Sequence, residues 1–372
     1  MKIALVHDYI KEYGGAERVL EALHELYPNA PVYTSIYFPQ FLGPHRNRFD
    51  GWIIKTSWLQ MIPFSSRFIS IIRLISPLIF KGFDFSSYDI IVTSATGAYF
   101  PNSLNKGKAK LICYCHTPPR YLYGYSTARE WKNNIFLRII GEIANHFLRL
   151  VDFKAAQNVD YFIANSKEVA GRIRKFYRRE SEIINPPVEI KILDSENIKH
   201  ILNLSDSGYF VAGGRLARPK NIHLIIKACT SENIPIYIFG KGFAGYGKEL
   251  HNIAGKTVKF LGEITDSEKY TLMTKAKAYI FASEDEDFGI TPVEAMSCGI
   301  PVIAYRSGGV METVIDEKNG IFFDSLTENS LIEALKKFER KTWEKKAIMK
   351  YAEKYSKARF LNEVKEFISN HA

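Results

Sequence analysis

Short apolar runs recur along this chain, and between them apolar residues return every three or four positions. KIALVHDY, PVYTSIY, DIIVTSA, KLICYCHT, YFIANS and SEIIN read as strands, while AERVLEALHELY and KEVAGRIRKFY read as amphipathic helices. The pattern pauses at Asn185-Pro186-Pro187, where two successive prolines suit neither a central strand nor a helix. A second series then begins: YFVAGGRL, IPIYIFGKG, VKFLGEI, AYIFAS, PVIAYRSGG and GIFFD read as strands, mostly followed by helical stretches. Continuous apolar strands alternating with helices predict a parallel sheet covered on both faces. Two such series predict an α/β protein of two Rossmann-like domains, residues 1–185 and 186–355. The segment 356–372, containing KARFLNEVKEFI, is expected to form a terminal amphipathic helix. No repeat of 20–50 residues and no low-complexity stretch interrupts the pattern.

A length of 372 residues agrees with two domains, and 46% hydrophobic with 24% charged residues is the balance of a globular protein. The four cysteines, Cys113, Cys115, Cys229 and Cys298, have no C-x-x-C spacing, so neither a disulfide framework nor a zinc site is expected. The opening MKIALVHDY reads as a buried strand rather than a leader. These features lead to the expectation of a cytoplasmic protein, peripheral to the inner face of the membrane if it docks there. The net charge of +10 is unevenly spread: residues 1–185 hold 24 basic and 15 acidic residues, residues 186–372 hold 26 and 25. Between Asp50 and Asp84 there is no acidic residue, while Lys55, Arg67, Arg73 and Lys81 sit among aromatic and aliphatic side chains. That segment could meet an anionic lipid surface or an anionic acceptor; the plainer reading is a core helix with solvated basic edges. Arginines and prolines break every apolar run before about 18 residues, so no membrane span is expected.

Four motifs carry candidate chemistry, each at the carboxyl end of an expected strand, where open parallel sheets bind ligands. Gly14 and Gly15 follow the first strand and open a helix, whose free amides suit an anion; this is not a G-x-G-x-x-G fingerprint. In Gly213-Gly214-Arg215-Leu216-Ala217-Arg218-Pro219-Lys220-Asn221, Arg215 and Lys220 flank a tight loop, and two cations there suit a diphosphate. In the segment from Ser283 to Met296, a helix expected near Thr291 brings Glu294 back toward the loop holding Glu286. The two carboxylates could bracket one ligand, with Phe288, Gly289 and Ile290 presenting backbone amides. The string Asp285-Glu286-Asp287 could instead take a divalent cation, but a hard cation wants more oxygen ligands, and no metal is expected. Finally, His116 in CYCHTPPRY stands at a strand end before a rigid Pro-Pro and could contact a sugar or acceptor, although most isolated histidines are structural.

In this order, the motifs resemble the retaining family 4 glycosyltransferases of the GT-B fold, over nearly the whole chain. The most specific part is the E-x7-E pattern of Glu286 and Glu294 in EDFGITPVEAMSCGIPVIA, followed by the G-G-R-L…K-N loop at Gly214, Arg215, Lys220 and Asn221. VHDY…GGAERVLE looks like a bacterial subgroup that assembles O-antigen and other surface polysaccharides, and CHTPPRYLY is similar to a segment common among mannosyltransferases. The resemblance implies GT-B architecture, with an interdomain cleft around a nucleotide-sugar donor and the terminal helix crossing back to the first domain. It implies that Arg215 and Lys220 hold the diphosphate, Glu294 the ribose and Glu286 the transferred sugar, with His116 near that sugar. Where Glu-Gly-Phe-Gly is often seen, this chain has Glu286-Asp287-Phe288-Gly289, which adds charge near the sugar.

The expected activity is therefore transfer of a hexose with retention, most simply mannose from GDP-mannose, onto a saccharide or lipid-linked saccharide acceptor in lipopolysaccharide or related synthesis. The nucleotide-sugar is a co-substrate and no cofactor is expected; nucleic acid is not an expected partner. Attack on the face the diphosphate leaves is favoured, because the one candidate carboxylate nucleophile, Glu286, is assigned by the resemblance to sugar hydroxyls. Three other readings stand beside it. A GT-B nucleotide-sugar epimerase or hydrolase would consume donor without acceptor. A non-enzymatic membrane-surface protein would bind vesicles and no sugar nucleotide. A nicotinamide-dependent oxidoreductase lacks its glycine fingerprint.

Overall fold

The computed structural model describes residues 1–62, 69–127, 135–189 and 208–372. The chain divides into two compact units: residues 1–125, 130–187 and 357–372 form the first, and 126–129 with 188–356 the second.

The first unit is built on seven parallel strands: β1 Ile3–His7, β2 Val32–Thr34, β3 Ile54–Thr56, β4 Ile90–Ala95, β5 Lys110–Cys115, β6 Tyr161–Ala164 and β7 Glu182–Ile183, in the order β3-β2-β1-β4-β5-β6-β7. β1 pairs along its whole length with β4, Ile3 opposite Ile90 and His7 opposite Ser94. That pairing is where the strand order reverses, because β2 and β3 lie on one side of β1 and β4 on the other. The inner strands are buried on both faces, as continuous β-branched runs require, and β3 at the edge is half-exposed. The terminal helix Lys357–Asn370 belongs to this unit. Its Phe360, Val364, Phe367 and Ile368, at i, i+4, i+7 and i+8, make one stripe that joins the core around Leu5, Leu20 and Ile112. The Lys357 ammonium reaches Glu25 at 2.7 Å, and the Arg359 guanidinium donates to the carbonyl of Asn185 at 2.7 Å.

The second unit has six parallel strands: β8 Phe210–Gly213, β9 Ile236–Phe239, β10 Val258–Gly262, β11 Tyr279–Phe281, β12 Val302–Tyr305 and β13 Gly320–Phe323, ordered β10-β9-β8-β11-β12-β13. The order reverses between β8 and β11, the counterpart of the β1–β4 reversal. Two apolar clusters cover the two faces of this sheet, one around Val211, Tyr279 and Met296, the other around Ala212, Ile225 and Leu331. Helices pack between and over the strands in both units, so both are Rossmann-like. All six strands expected in the second series form; in the first, β3 was not anticipated, because a three-residue edge strand carries no apolar run.

Arg67 lies outside the described residues. Arg73, in the helix Ile69–Lys81, places its guanidinium over the Tyr121 ring at 4.4 Å with its Nε buried, so it is turned inward. Among the described residues no helix is long and apolar enough to cross a membrane.

Candidate active site

In the second unit the sequence motifs gather at the carboxyl ends of the reversal strands β8 and β11; in the first, the Gly14-Gly15 turn follows β1, and His116 follows β5, the neighbour of β4. In the second unit, Gly213 closes β8 and Gly214 turns the chain with φ +107°. Gly240, just after β9, has φ +118°, and a Cβ there would lie 1.8 Å from the carbonyl oxygen of Gly214. One on Gly213 would lie 2.4 Å from the carbonyl oxygen of Phe239. Only glycine permits the two turns to touch, and the contact leaves bare backbone at the strand ends. Tyr279 of β11, fully buried, ties this turn down by donating its hydroxyl to the Gly213 carbonyl at 2.7 Å.

The basic loop leaves from this turn. Arg215 is exposed, with its guanidinium over the Phe243 ring at 5.8 Å. Lys220 ends a short 3-10 turn, Arg218–Lys220, and its ammonium donates to Glu286 Oε2 while lying over the Phe281 ring at 5.2 Å. Asn221 takes a left-handed conformation (φ 48°) and donates its side-chain amide to the Ala282 carbonyl at 3.0 Å, and the Glu284 amide donates to the Pro219 carbonyl at 2.8 Å. The loop of Arg215 and Lys220 is thus laced to the loop of Glu286.

The Glu286 loop is held from its other side. Asp285 has φ 52°, and its amide donates to Ser307 Oγ at 3.1 Å. The Gly309 amide donates to the Glu286 carbonyl at 2.7 Å, and a Cβ on Gly308 would sit 2.3 Å from that same oxygen. Ser283 Oγ donates to Glu286 Oε2 at 2.7 Å, so one carboxylate oxygen accepts from both a hydroxyl and the Lys220 ammonium. The side chains of Lys220 and Glu286 remain 27% and 16% exposed, enough for a ligand to reach the pair. Phe288 is buried, its ring 5.4 Å from that of Tyr355. Gly289 (φ +88°) caps the helix Ile290–Ser297.

Glu294 stands in the second turn of that helix rather than the first, because the helix begins at Ile290. It is 2% exposed, and its Oε1 accepts from Lys269 Nζ at 2.8 Å. Lys269 also donates to Asp266 at 3.0 Å, making a buried carboxylate–ammonium–carboxylate triad. The two glutamates of the E-x7-E pattern therefore each have their own lysine. Both lie within electrostatic reach of Tyr279, whose phenol is pushed well up, first by burial and then by Glu294 and, less, Glu286. Lys269 was not singled out from the sequence: DSEKYT carries no motif, and its partner lies 25 residues away. Among the described residues no group of three or more His, Cys, Asp and Glu side chains could hold a metal ion.

In the first unit, Gly14 caps the helix Gly15–Leu26, and its amide donates to Glu17 Oε2 at 2.8 Å. Glu17 Oε1 lies 3.5 Å from His7 Nε2 at the end of β1. His7 Nδ1 is 3.1 Å from Ser94 Oγ at the end of β4, which is 2.9 Å from His116 Nε2. A buried polar chain thus links the Gly14-Gly15 turn to His116 across the β1–β4 reversal. Burial, and then the neighbouring His7, pull the His116 imidazole down to about 3, so it is neutral at any physiological pH. Asn165 fixes its backbone by donating to the His116 carbonyl at 2.9 Å. Next to His7, the buried Asp8 accepts through Oδ2 from the amides of Thr96, Ala98 and Tyr99 and from Thr96 Oγ1, stapling the β4 exit loop. His7, Asp8 and Ser94 were not singled out as functional; the only signal was their position at strand ends.

Residues 13–191 match the family model described as Glycosyltransferase Family 4, and residues 194–355 match Glycosyl transferases group 1. The chain is 24% identical to the alpha-1,3/1,6-mannosyltransferase ALG2 of Rhizomucor pusillus, over 87% of this chain and 81% of that protein. It is 26% identical to the enzyme of the same name from Schizosaccharomyces pombe, over 86% and 70%. Among solved structures, Anabaena HepE in complex with UDP and glucose aligns over 100% of both chains with a TM-score of 0.75 at 21% identity. Sucrose-phosphate synthase from Thermosynechococcus elongatus aligns over 100% of this chain and 99% of that one, with a TM-score of 0.76 at 16% identity.

Proposed function

Because the chain belongs to the family 4 glycosyltransferases, enzymes of the GT-B fold, we propose that it transfers mannose from GDP-mannose, with retention of configuration, to a lipid-linked saccharide in surface-polysaccharide assembly. The observation that carries the reading is the laced pair of loops in the second unit, with Lys220 and Arg215 on one and Glu286 on the other. An ammonium has three donors, so pairing with Glu286 orients Lys220 and leaves protons for a phosphate oxygen. Arg215, exposed beside it, offers a planar fork to the same group. Together they stabilise the charge that grows on the diphosphate as its bond to the anomeric carbon breaks. The acceptor's hydroxyl oxygen bonds to the anomeric carbon as the bond to the phosphate oxygen breaks, and the departing phosphate oxygen takes the hydroxyl's proton. No metal is called on: the charges offered to the diphosphate are the two cations.

Glu286 accepts from hydroxyls of the transferred mannose, and Glu294, set by Lys269, accepts from the ribose. The bare backbone at Gly214 and the amides of Phe288, Gly289 and Ile290 complete the donor contacts. Within the first unit, the groups that meet substrate are the Gly14-Gly15 turn and a neutral His116, which hydrogen-bonds without adding charge. The likeness to two mannosyltransferases named ALG2 supports mannose as the sugar. The opening segment's resemblance to surface-polysaccharide enzymes, and the basic excess of residues 1–185, support a lipid-linked acceptor at an anionic membrane face.

The test is turnover in Arg215→Ala and Lys220→Ala, measured with GDP-mannose. Each is expected to lose on the order of 100-fold or more in kcat, the usual scale for removing one charge-stabilising donor. Near-normal rates in both variants would remove these cations from the mechanism.

A further inference from the structure

The helix Ile135–Gln157 of the first unit has an unusual outer face. Its inner side packs on the unit's core through Leu148, Ala155 and Ala156, with Asn145 and Asp152 also buried. A helix so placed normally turns polar side chains to water. Here Ile135, Ile139, Ile143, Phe147 and Leu150 follow at spacings of four, four, four and three residues, and are 61%, 53%, 57%, 62% and 59% exposed. Ile140, beside them, is 66% exposed. This stripe continues for four turns, and apolar contiguity on that scale marks an interaction site rather than scattered surface residues.

Charge and location indicate what covers it. Arg138 lies on one edge of the stripe with Glu142 one turn on, Arg149 on that edge donates to the Leu122 carbonyl at 3.0 Å, Lys154 is exposed at the carboxyl end, and residues 1–185 carry the chain's basic excess, 24 basic to 15 acidic. The helix Ile69–Lys81 packs, like this one, against the short turn Pro101–Ser103, and it adds exposed Leu74 and Leu78. An apolar stripe bordered by cations is what binds the headgroup boundary of an anionic bilayer, where side chains enter the acyl region and cations pair with lipid phosphates. A protein partner would share the apolar part but would not by itself explain the basic excess, in which Glu142 is the one acid along the border. The helix lies on such a surface and does not cross it, since one side of it is committed to the core.

We propose that the outer face of the helix Ile135–Gln157 is the surface by which this protein docks on an anionic lipid bilayer. The inference deepens the reading of a lipid-linked acceptor and rests on it for its purpose, because docking would bring the enzyme to a substrate confined to the membrane. Arg73, one of the cations expected to meet such a surface, is turned inward.

The experiment is flotation of the full-length protein with vesicles of phosphatidylcholine containing about a third phosphatidylglycerol, and with phosphatidylcholine alone. The wild-type protein should float with the anionic vesicles, and at least tenfold less with the neutral ones. Ile139→Gln, Ile143→Gln and Phe147→Gln combined should reduce flotation at least tenfold, and Arg138→Gln with Lys154→Gln severalfold. The thermal midpoint should stay unchanged in both sets, because these side chains face away from the core. The rise in that midpoint on adding GDP-mannose should also persist, so loss of docking and failure of the donor reading are told apart. Equal flotation of wild type and triple variant overturns the proposal, as does wild type that fails to float. A concentration-dependent dimer that the triple variant abolishes, with no vesicle binding, also overturns it and makes the stripe a contact between copies.

Discussion

At the residue scale, the two glutamates of the recognised pattern prove to be halves of separate ion pairs. The distinction has unequal consequences. Lys220 and Glu286 are partly open to solvent, so replacing Lys220 should spare stability and harm turnover. Lys269 is buried between Asp266 and Glu294, so Lys269→Met removes the ammonium that both buried carboxylates accept from. That change should cost about 3–5 kcal/mol, read as a fall in the denaturation midpoint. A variant of wild-type stability would mean that the triad is not closed as described. His116 makes a prediction of opposite kind. Its imidazole is depressed to about 3 when folded but has an ordinary value near 6.5 unfolded, so below that the unfolded chain binds the extra proton. Stability from this group is full above pH 6.5 and is lost as pH falls toward 3. His116→Asn should remove this contribution, leaving a stability that falls as pH rises from about 4 to 6.5.

At the scale of elements, the site depends on glycines that let strand ends touch. Gly240 combines φ +118° with a carbonyl in the place its Cβ would occupy, so Gly240→Ala must push the Gly213-Gly214 turn away. Donor affinity should fall at least tenfold, measured by titration with GDP-mannose, while Gly245→Ala serves as a control. Gly245 also has a positive φ (83°) but nothing near its Cβ position, so only backbone strain is added there. Equal effects of the two substitutions would show that strain, not the Gly240–Gly214 contact, matters.

The same scale explains what could be read from the sequence. The six strands of the second series were legible because each is an apolar run, interrupted only by Lys259 in β10, closed by glycine or a charged turn. β3 was not, since IKT is short and half-exposed at an edge. Glu286, Glu294, Arg215 and Lys220 stood out because their spacing follows strand ends. Lys269 and the Glu17–His7–Ser94–His116 chain did not. Apart from Lys269–Asp266, three residues apart, their relations join residues 10 to 87 apart, and no local pattern records which side chains a parallel sheet will bring together. The apolar face of Ile135–Gln157 was likewise hidden: periodicity shows an apolar helix but not which of its sides the core uses.

At the scale of the molecule, two buried groups set opposing pH responses. Asp152, buried and accepting from Tyr123 and Tyr177, is raised to about 7 by burial, with the two tyrosines offsetting only part of that effect. Its folded pKa exceeds the unfolded value of about 3.9, so its carboxyl favours folding at low pH, and this contribution is lost as pH rises through 7. His116 acts in the other direction over much of the same interval. Wild-type stability should therefore be nearly level between about pH 4 and 6.5 as far as these two are concerned, with each slope exposed by replacing the other. Asp152→Asn should steepen the loss of stability on acidification, followed by denaturant titration across that range.

The central claim is that the second unit's loops bind a mannose nucleotide. The direct measurement is thermal unfolding with GDP-mannose, UDP-glucose, ADP-glucose and dTDP-glucose at equal concentration, for wild type and Lys220→Ala. A ligand at a hundred times its Kd stabilises by about 2.7 kcal/mol, a clear rise in midpoint. The account predicts that rise for GDP-mannose above the other three, and its loss in Lys220→Ala. An equal or larger rise with UDP-glucose, or a GDP-mannose response untouched by Lys220→Ala, would contradict it.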